Sequence, residues 1–288
     1  MTRVNHHNPK KNSSFDISYH MEMLSDQERV GQIKAAIGAY ANKDYVFCEL
    51  GCGTGIFAIY AATKYKHVYA VDIDINVLAI AKENAQRLGL ESNITFIQND
   101  ALDYFLPKGV KADVVLSETM STWMATEPQV NISNHAIANL VHSETKYIPQ
   151  RVINLMELAN INWCFGDLLL EGVLPQFTGI KPPRIMTESR MVSNIDLTTQ
   201  NDLIVDVNTE YKALVGGVIN CARIFCIVEF APGVLFHSTD SLMPITIIPI
   251  QNKDTFEVNS GDLVTANVRY QFHSQINDVH VSLTNLSI

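Results

Sequence analysis

The sequence predicts an α/β chain in two parts: an open parallel sheet flanked by helices, then a mostly antiparallel, barrel-like β half. Three observations predict it. Short apolar strands alternate with helical periods between residues 45 and 142. A glycine-rich turn joins the first strand to the first helix of that series. After Pro149 the helical periodicity gives way to β-type segments separated by turn residues.

Taken in order, residues 1–14 are polar, lack an apolar segment and read as a flexible tail rather than a signal peptide. Residues 16–40 turn helical, with Asp26 placed to cap and Val30, Ile33, Ala36, Ile37 and Tyr40 recurring at helical spacing. Strands are expected over residues 45–50, 67–71, 93–97 and 112–116, and helices over 56–65, 75–88 and 130–142. Such alternation implies right-handed crossovers and a parallel sheet. Beyond a boundary at residues 147–150, β segments are expected over 152–158, 203–207, 220–230, 245–250, 263–272 and 279–286, with one short helix over 168–174. The expected division is therefore a tail (1–14), a ligand-binding half with N-terminal lid helices (15–149) and a β half that meets the substrate (150–288).

Composition narrows the function classes. With 47% hydrophobic residues among 288, the chain can bury a core. A net charge of −9 disfavours binding to phosphate backbones, so no nucleic-acid partner is expected. No segment approaches the ~18 apolar residues of a membrane span. The five cysteines form no CxxC pair and no disulfide framework, so a reducing, cytoplasmic location is expected and no metal site. His135 and His142 lie seven apart with no carboxylate partner and read as surface positions.

The segment Glu49-Leu50-Gly51-Cys52-Gly53-Thr54-Gly55 joins a strand to a helix. Glycine there lets a ligand approach the main chain. Asp72 ends the second strand, where a carboxylate can accept from both hydroxyls of a ribose, and Asp100 follows the third, where an adenine edge would lie. A nicotinamide fingerprint would need GxGxxG, but its sixth position is Ile56. The spacing suits a ligand without phosphate. Gly51, Gly53, Gly55, Asp72 and Asp100 together resemble a Rossmann-like class I methyltransferase that uses S-adenosyl-L-methionine and releases S-adenosyl-L-homocysteine. Glu49 and Ala101 complete the expected cofactor set.

The loop after the fourth strand, where ligands of parallel sheets bind, reads Ser117-Glu118-Thr119-Met120-Ser121-Thr122-Trp123-Met124-Ala125-Thr126-Glu127. Its two glutamates stand at the separation of the double-glutamate loop of the protein arginine methyltransferases. Upstream, His20-Met21-Glu22-Met23-Leu24-Ser25-Asp26-Gln27-Glu28-Arg29 resembles that family's H-x-x-M-L-x-D-x-x-R helix. Tyr147-Ile148-Pro149 is similar to its proline hinge, and Val228-Glu229-Phe230 loosely to a hairpin of its barrel. The resemblance runs from about residue 18, strongly to residue 150 and loosely beyond. It implies that Arg29 grips the cofactor carboxylate, that His20 and Met23 cover the cofactor, and that Glu118 and Glu127 are catalytic. A homodimer is the assembly it implies, although the stretch between Leu158 and Asn194 is shorter than the family's dimerisation arm. The chain also departs from the family near Asp240-Ser241-Leu242-Met243-Pro244-Ile245, where the T-H-W loop should fall but neither its histidine nor its tryptophan is present. Asp26 would then lack its usual histidine partner. His237, His273 and His280 fall in the β half, where ordinary strand positions are expected, though one could replace that histidine.

Methyl transfer from a sulfonium is an in-line displacement, and positioning of the acceptor can supply ~7–11 kcal/mol. Two carboxylates can orient a guanidinium or amine, each by roughly 4 kcal/mol at ~4 Å and an effective dielectric near 20, before desolvation. The expected acceptor is a guanidine or amine nitrogen on a protein or a small molecule. The alternatives are a small-molecule N-, O- or C-methyltransferase on the same fold, and a non-catalytic scaffold.

Overall fold

The computed structural model describes residues 23–176, 181–252 and 254–285. His20, expected over the cofactor, lies outside them. The first half is built on β1 (Val46–Leu50), β2 (His67–Asp72), β3 (Ile94–Gln98), β4 (Ala112–Ser117) and β5 (Val141–Ile148). These five strands are all parallel, in the order β3-β2-β1-β4-β5. The order reverses between β1 and β4, and such a switch point leaves a crevice beyond the strands' carboxyl ends.

Both faces of the sheet are covered, which is why its strands read as apolar runs rather than alternating ones. Phe47, Val68, Ala70, Val114 and Leu116 share one cluster, while Cys48, Leu50, Val71 and Val115 belong to another. The second cluster is closed by Ile132, Ala136 and Leu140 from helix α4 (Gln129–Asn139) and its end. The first takes in α1 (Gln27–Ala39), α2 (Ile56–Ala62) and α3 (Ile75–Arg87), and runs without a break into the β half. Helix α1 is capped as expected, the Asp26 side chain accepting from Arg29 N. Its buried face, Ile33, Ala36 and Ile37, packs on the strands Cys221–Ala231 and Val234–His237 as well as on α2 and β5.

Two expectations for these elements need correction. The helical period over 130–142 ends at Asn139, and Val141–Ile148 is a fifth parallel strand. Exposed His142, Ser143 and Glu144 at the start of this edge strand hid its apolar character. Residues 168–174 form no helix: Leu168–Leu169 pairs with Cys164–Phe165 as a small hairpin.

After a cis Ile148–Pro149 peptide the chain enters antiparallel structure. Strand β6 (Arg151–Asn160) pairs with Cys221–Ala231 along its whole length and with Arg190–Asp196 on its other side. Val152, Asn154, Met156 and Leu158 are buried at the period of two that a strand with one covered face requires. Ile204–Lys212, Leu263–Gln271 and His280–Asn285 form a second sheet, whose buried Val264, Ala266 and Val268 join the same apolar cluster as Val152, Met156 and Leu158. The buried Asn154 amide joins the two sheets by donating to the Tyr270 hydroxyl at 3.0 Å.

Candidate active site

The carboxyl ends of β1, β2, β3 and β4 open into one cavity of 890 Å³. Met23, Arg29, Glu49, Gly51, Gly53, Asp72, Asp100, Ala101, Glu118 and Glu127 all line it. Gly55 does not. It caps α2 at φ +79°, and a Cβ there would stand 2.7 Å from Ala81 Cβ. Its role in this structure is to let α2 and α3 approach each other.

The glycine turn is shaped from both sides. Gly51 has φ +81°, and a Cβ on it would meet Thr119 Cγ2 at 2.8 Å. Asp72 holds the turn by accepting from Gly53 N at 2.7 Å, while its other oxygen accepts from Asp74 N at 2.9 Å. Asp100 accepts from Leu102 N, fixing the loop after β3. Glu49 is 1% exposed, and its Oε2 meets no hydrogen-bond partner among the described residues. Burial, and after it the charge of Asp72, pushes the Glu49 carboxyl well above the usual carboxylate range. A buried, unpartnered acceptor facing a cavity is the arrangement that a ligand's donor would complete.

Across the cavity, buried Arg29 is ion-paired with Glu118 and donates to Met23 Sδ at 2.9 Å. Burial raises the Glu118 carboxyl, against the opposing pull of Arg29. Arg29 is the one lysine or arginine lining the cavity among the described residues. Its partner Asp26 is engaged on both oxygens, by Arg29 N and by Leu242 N at 3.0 Å. Asp26 therefore does not lack a partner. Leu242 lies in residues 240–245, where a histidine was expected and none stands.

The glutamate loop is fastened at several points. Gln129 is fully buried; its oxygen accepts from Thr119 N at 3.0 Å and its amide donates to Ser117 Oγ at 2.7 Å. Trp123 Nε1 donates to the carbonyls of Leu155 and Phe225 in the β half. Thr122 Oγ1 donates to Pro244 O at 2.6 Å. Sequence reasoning missed Gln129, because a glutamine at a helix start carries no distinguishing signal. It also gave little weight to His273, which lines the cavity with Ser274 and Gln275 from the far end of the chain.

Residues 41–161 match the family model described as a methyltransferase domain. The matched segment begins ahead of β1 and takes in all five parallel strands. The chain is 38% identical over 141 residues to an uncharacterized protein of Methanocaldococcus jannaschii, covering 49% of this chain and 53% of that one. It is 32% identical over 123 residues to protein arginine N-methyltransferase 1 of Saccharomyces cerevisiae, covering 42% of this chain and 35% of that enzyme. The matches thus span about half and about a third of those relatives. Among solved structures, the Trypanosoma brucei PRMT1 enzyme–prozyme heterotetrameric complex with AdoHcy has a TM-score of 0.75 at 20% identity, over 93% of this chain and 98% of that chain. The likeness extends the fold of an arginine methyltransferase through the β half.

Proposed function

We propose that the chain transfers a methyl group from S-adenosylmethionine to a nitrogen of a cationic acceptor, a guanidine or amine on a protein or small molecule. The observation that carries this reading is the convergence of Arg29, Glu49, Asp72, Glu118 and Glu127 on one cavity at the switch point of the sheet. The cavity fits the methyl donor. In this reading Asp72 would accept from ribose hydroxyls, the unpartnered Glu49 oxygen from an ammonium, and Arg29 would donate to a carboxylate, all within the one cavity they line.

When bound, S-adenosylmethionine supplies an electrophilic methyl on a sulfonium. Glu118 and Glu127 would then hold the acceptor's N–H groups by charge-assisted hydrogen bonds and aim its lone pair at that carbon. Methylation would leave the acceptor nitrogen with a proton to shed. A carboxylate at hydrogen-bond distance can receive it.

Two measurements test the proposal. Calorimetry should show S-adenosylhomocysteine binding with no comparable NAD binding, and Asp72→Ala should weaken it. Labelled methyl transfer to peptides, metabolites and cell extract should then identify the acceptor. Preferential NAD binding, or a neutral acceptor indifferent to Glu127→Gln, would remove the reading.

A further inference from the structure

We propose that His273, carried by the β half, contacts the methyl acceptor and forms the outer wall of its subsite beside Glu127. This rests on the methyl-transfer reading above and adds a residue outside the glutamate loop.

Three observations carry it. First, the turn after the strand Leu263–Gln271 reaches into the methyltransferase domain: His273, Ser274 and Gln275 line the same cavity as Thr126, Glu127 and Pro128. The contact is specific, since Ser274 N donates to Ala125 O at 2.7 Å, two residues from Glu127. Second, the turn is anchored on every side. Phe272 N donates to Leu203 O, Ser274 Oγ donates to Gln271 O, and Gln275 and Asp278 form a reciprocal capping box. An exposed side chain on so firmly held a turn is presented, not merely left over. Third, His273 has φ +57°, and among the described residues the other non-glycine residues with left-handed φ are Trp123 and Met124. All three therefore flank one junction, where the glutamate loop meets the β half. Left-handed backbone disfavours residues bearing a Cβ, and such outliers persist where the surroundings hold them and cluster at functional sites. Asn, Asp and His enter this region more readily than other residues bearing a Cβ, so the turn can carry an imidazole there.

The chemistry suits a cationic acceptor. A neutral imidazole accepts a hydrogen bond from a guanidinium or ammonium N–H, and its flat ring can pack on an alkyl stem. His273 is thus a positioning group for the acceptor, carried on a turn bonded to the glutamate loop rather than on the strand ends that bear Asp72 and Asp100.

The test compares His273→Gly, His273→Asn and Glu127→Gln on the acceptor identified by methyl-transfer screening. His273→Gly removes the ring and relieves the backbone, so its melting temperature should equal or exceed that of the native protein. S-adenosylhomocysteine affinity should stay within about twofold, while the KM for the acceptor rises about tenfold or more, the cost of one hydrogen bond to a charged group. His273→Asn keeps an acceptor atom and tolerates left-handed φ, so it should recover part of the loss. An unchanged acceptor KM in His273→Gly beside a damaged Glu127→Gln overturns the role of His273 alone. An unaffected Glu127→Gln sinks the parent reading. Weakened S-adenosylhomocysteine binding in His273→Gly places the residue on the donor side and also overturns the proposal.

Discussion

Arg29 and Glu118 close a charge pair inside the cavity, so the group expected to hold a donor's carboxylate and the group expected to hold the acceptor's cation occupy each other. Each ligand must compete with that pair. Glu118→Gln releases Arg29 and removes one acceptor-binding charge. S-adenosylhomocysteine should therefore bind severalfold tighter by calorimetry, while turnover of a cationic acceptor falls by ~100-fold or more, as expected when one partner of a buried charged contact is lost. Weaker S-adenosylhomocysteine binding in this variant would show that Glu118 is no competitor. Glu49 supplies a second residue-scale prediction. Its carboxyl is raised by burial, by the Asp72 charge and by Glu118, with the Ala58 backbone N–H opposing them. A raised carboxyl stabilises the fold below the unfolded value of ~4.3, and that contribution is lost as pH climbs through the folded value. Glu49→Gln mimics the protonated form. Its melting temperature should gain on that of the native protein as pH rises from about 4 toward neutrality. Calorimetric melts over that range that run parallel would remove this account.

At the scale of elements, the turn that begins α2 does two separate jobs. Gly51 admits the Thr119 side chain at the mouth of the cavity, while Gly55 admits Ala81 of α3. Gly55→Ala should cost several kcal/mol, since it combines ~1–2 kcal/mol of left-handed backbone with overpacking of ~1–3 kcal/mol. Chemical denaturation reads this directly, and a loss below about 1 kcal/mol would mean that α3 yields easily. The elements of the parallel half were legible because buried strands and amphipathic helices carry different apolar periods. Strand β5 was not: Val141-His142-Ser143-Glu144-Thr145-Lys146-Tyr147-Ile148 is polar for most of its length, and only pairing with β4 makes it a strand. The part of the cavity wall at the strand ends was equally legible, because Gly51, Gly53, Asp72 and Asp100 sit at strand ends that sequence alone locates. Beyond those ends the cavity wall was legible only as far as the glutamate loop. His273 reaches the loop by a tertiary contact between Ser274 and Ala125, which no local pattern encodes.

The whole molecule behaves as one packed body across the boundary between parallel and antiparallel structure. One apolar cluster contains Phe47 and Leu116 from the parallel sheet together with Met156, Ile224 and Phe236 from the β half. Helix α1 is wedged into the same cluster through Ile33, Ala36 and Ile37. Polar ties cross the boundary as well, from Trp123 to the Leu155 and Phe225 carbonyls, and between Asn134 and Asn201 at 2.8–2.9 Å. Neither half can leave the other without exposing that surface and unsatisfying those groups, each buried loss costing ~1–3 kcal/mol. The chain should therefore unfold in a single transition. Circular dichroism reports backbone order in both halves, and tryptophan fluorescence reports Trp123 at the junction and Trp163 in the β half, so the two melts should coincide. Two resolved transitions would refute this. S-adenosylhomocysteine should shift the single transition upward as a whole, because it binds only the assembled cavity. An upward shift confined to one optical probe would mean that the donor stabilises the parallel half alone, and that the β half contributes nothing to holding the site together.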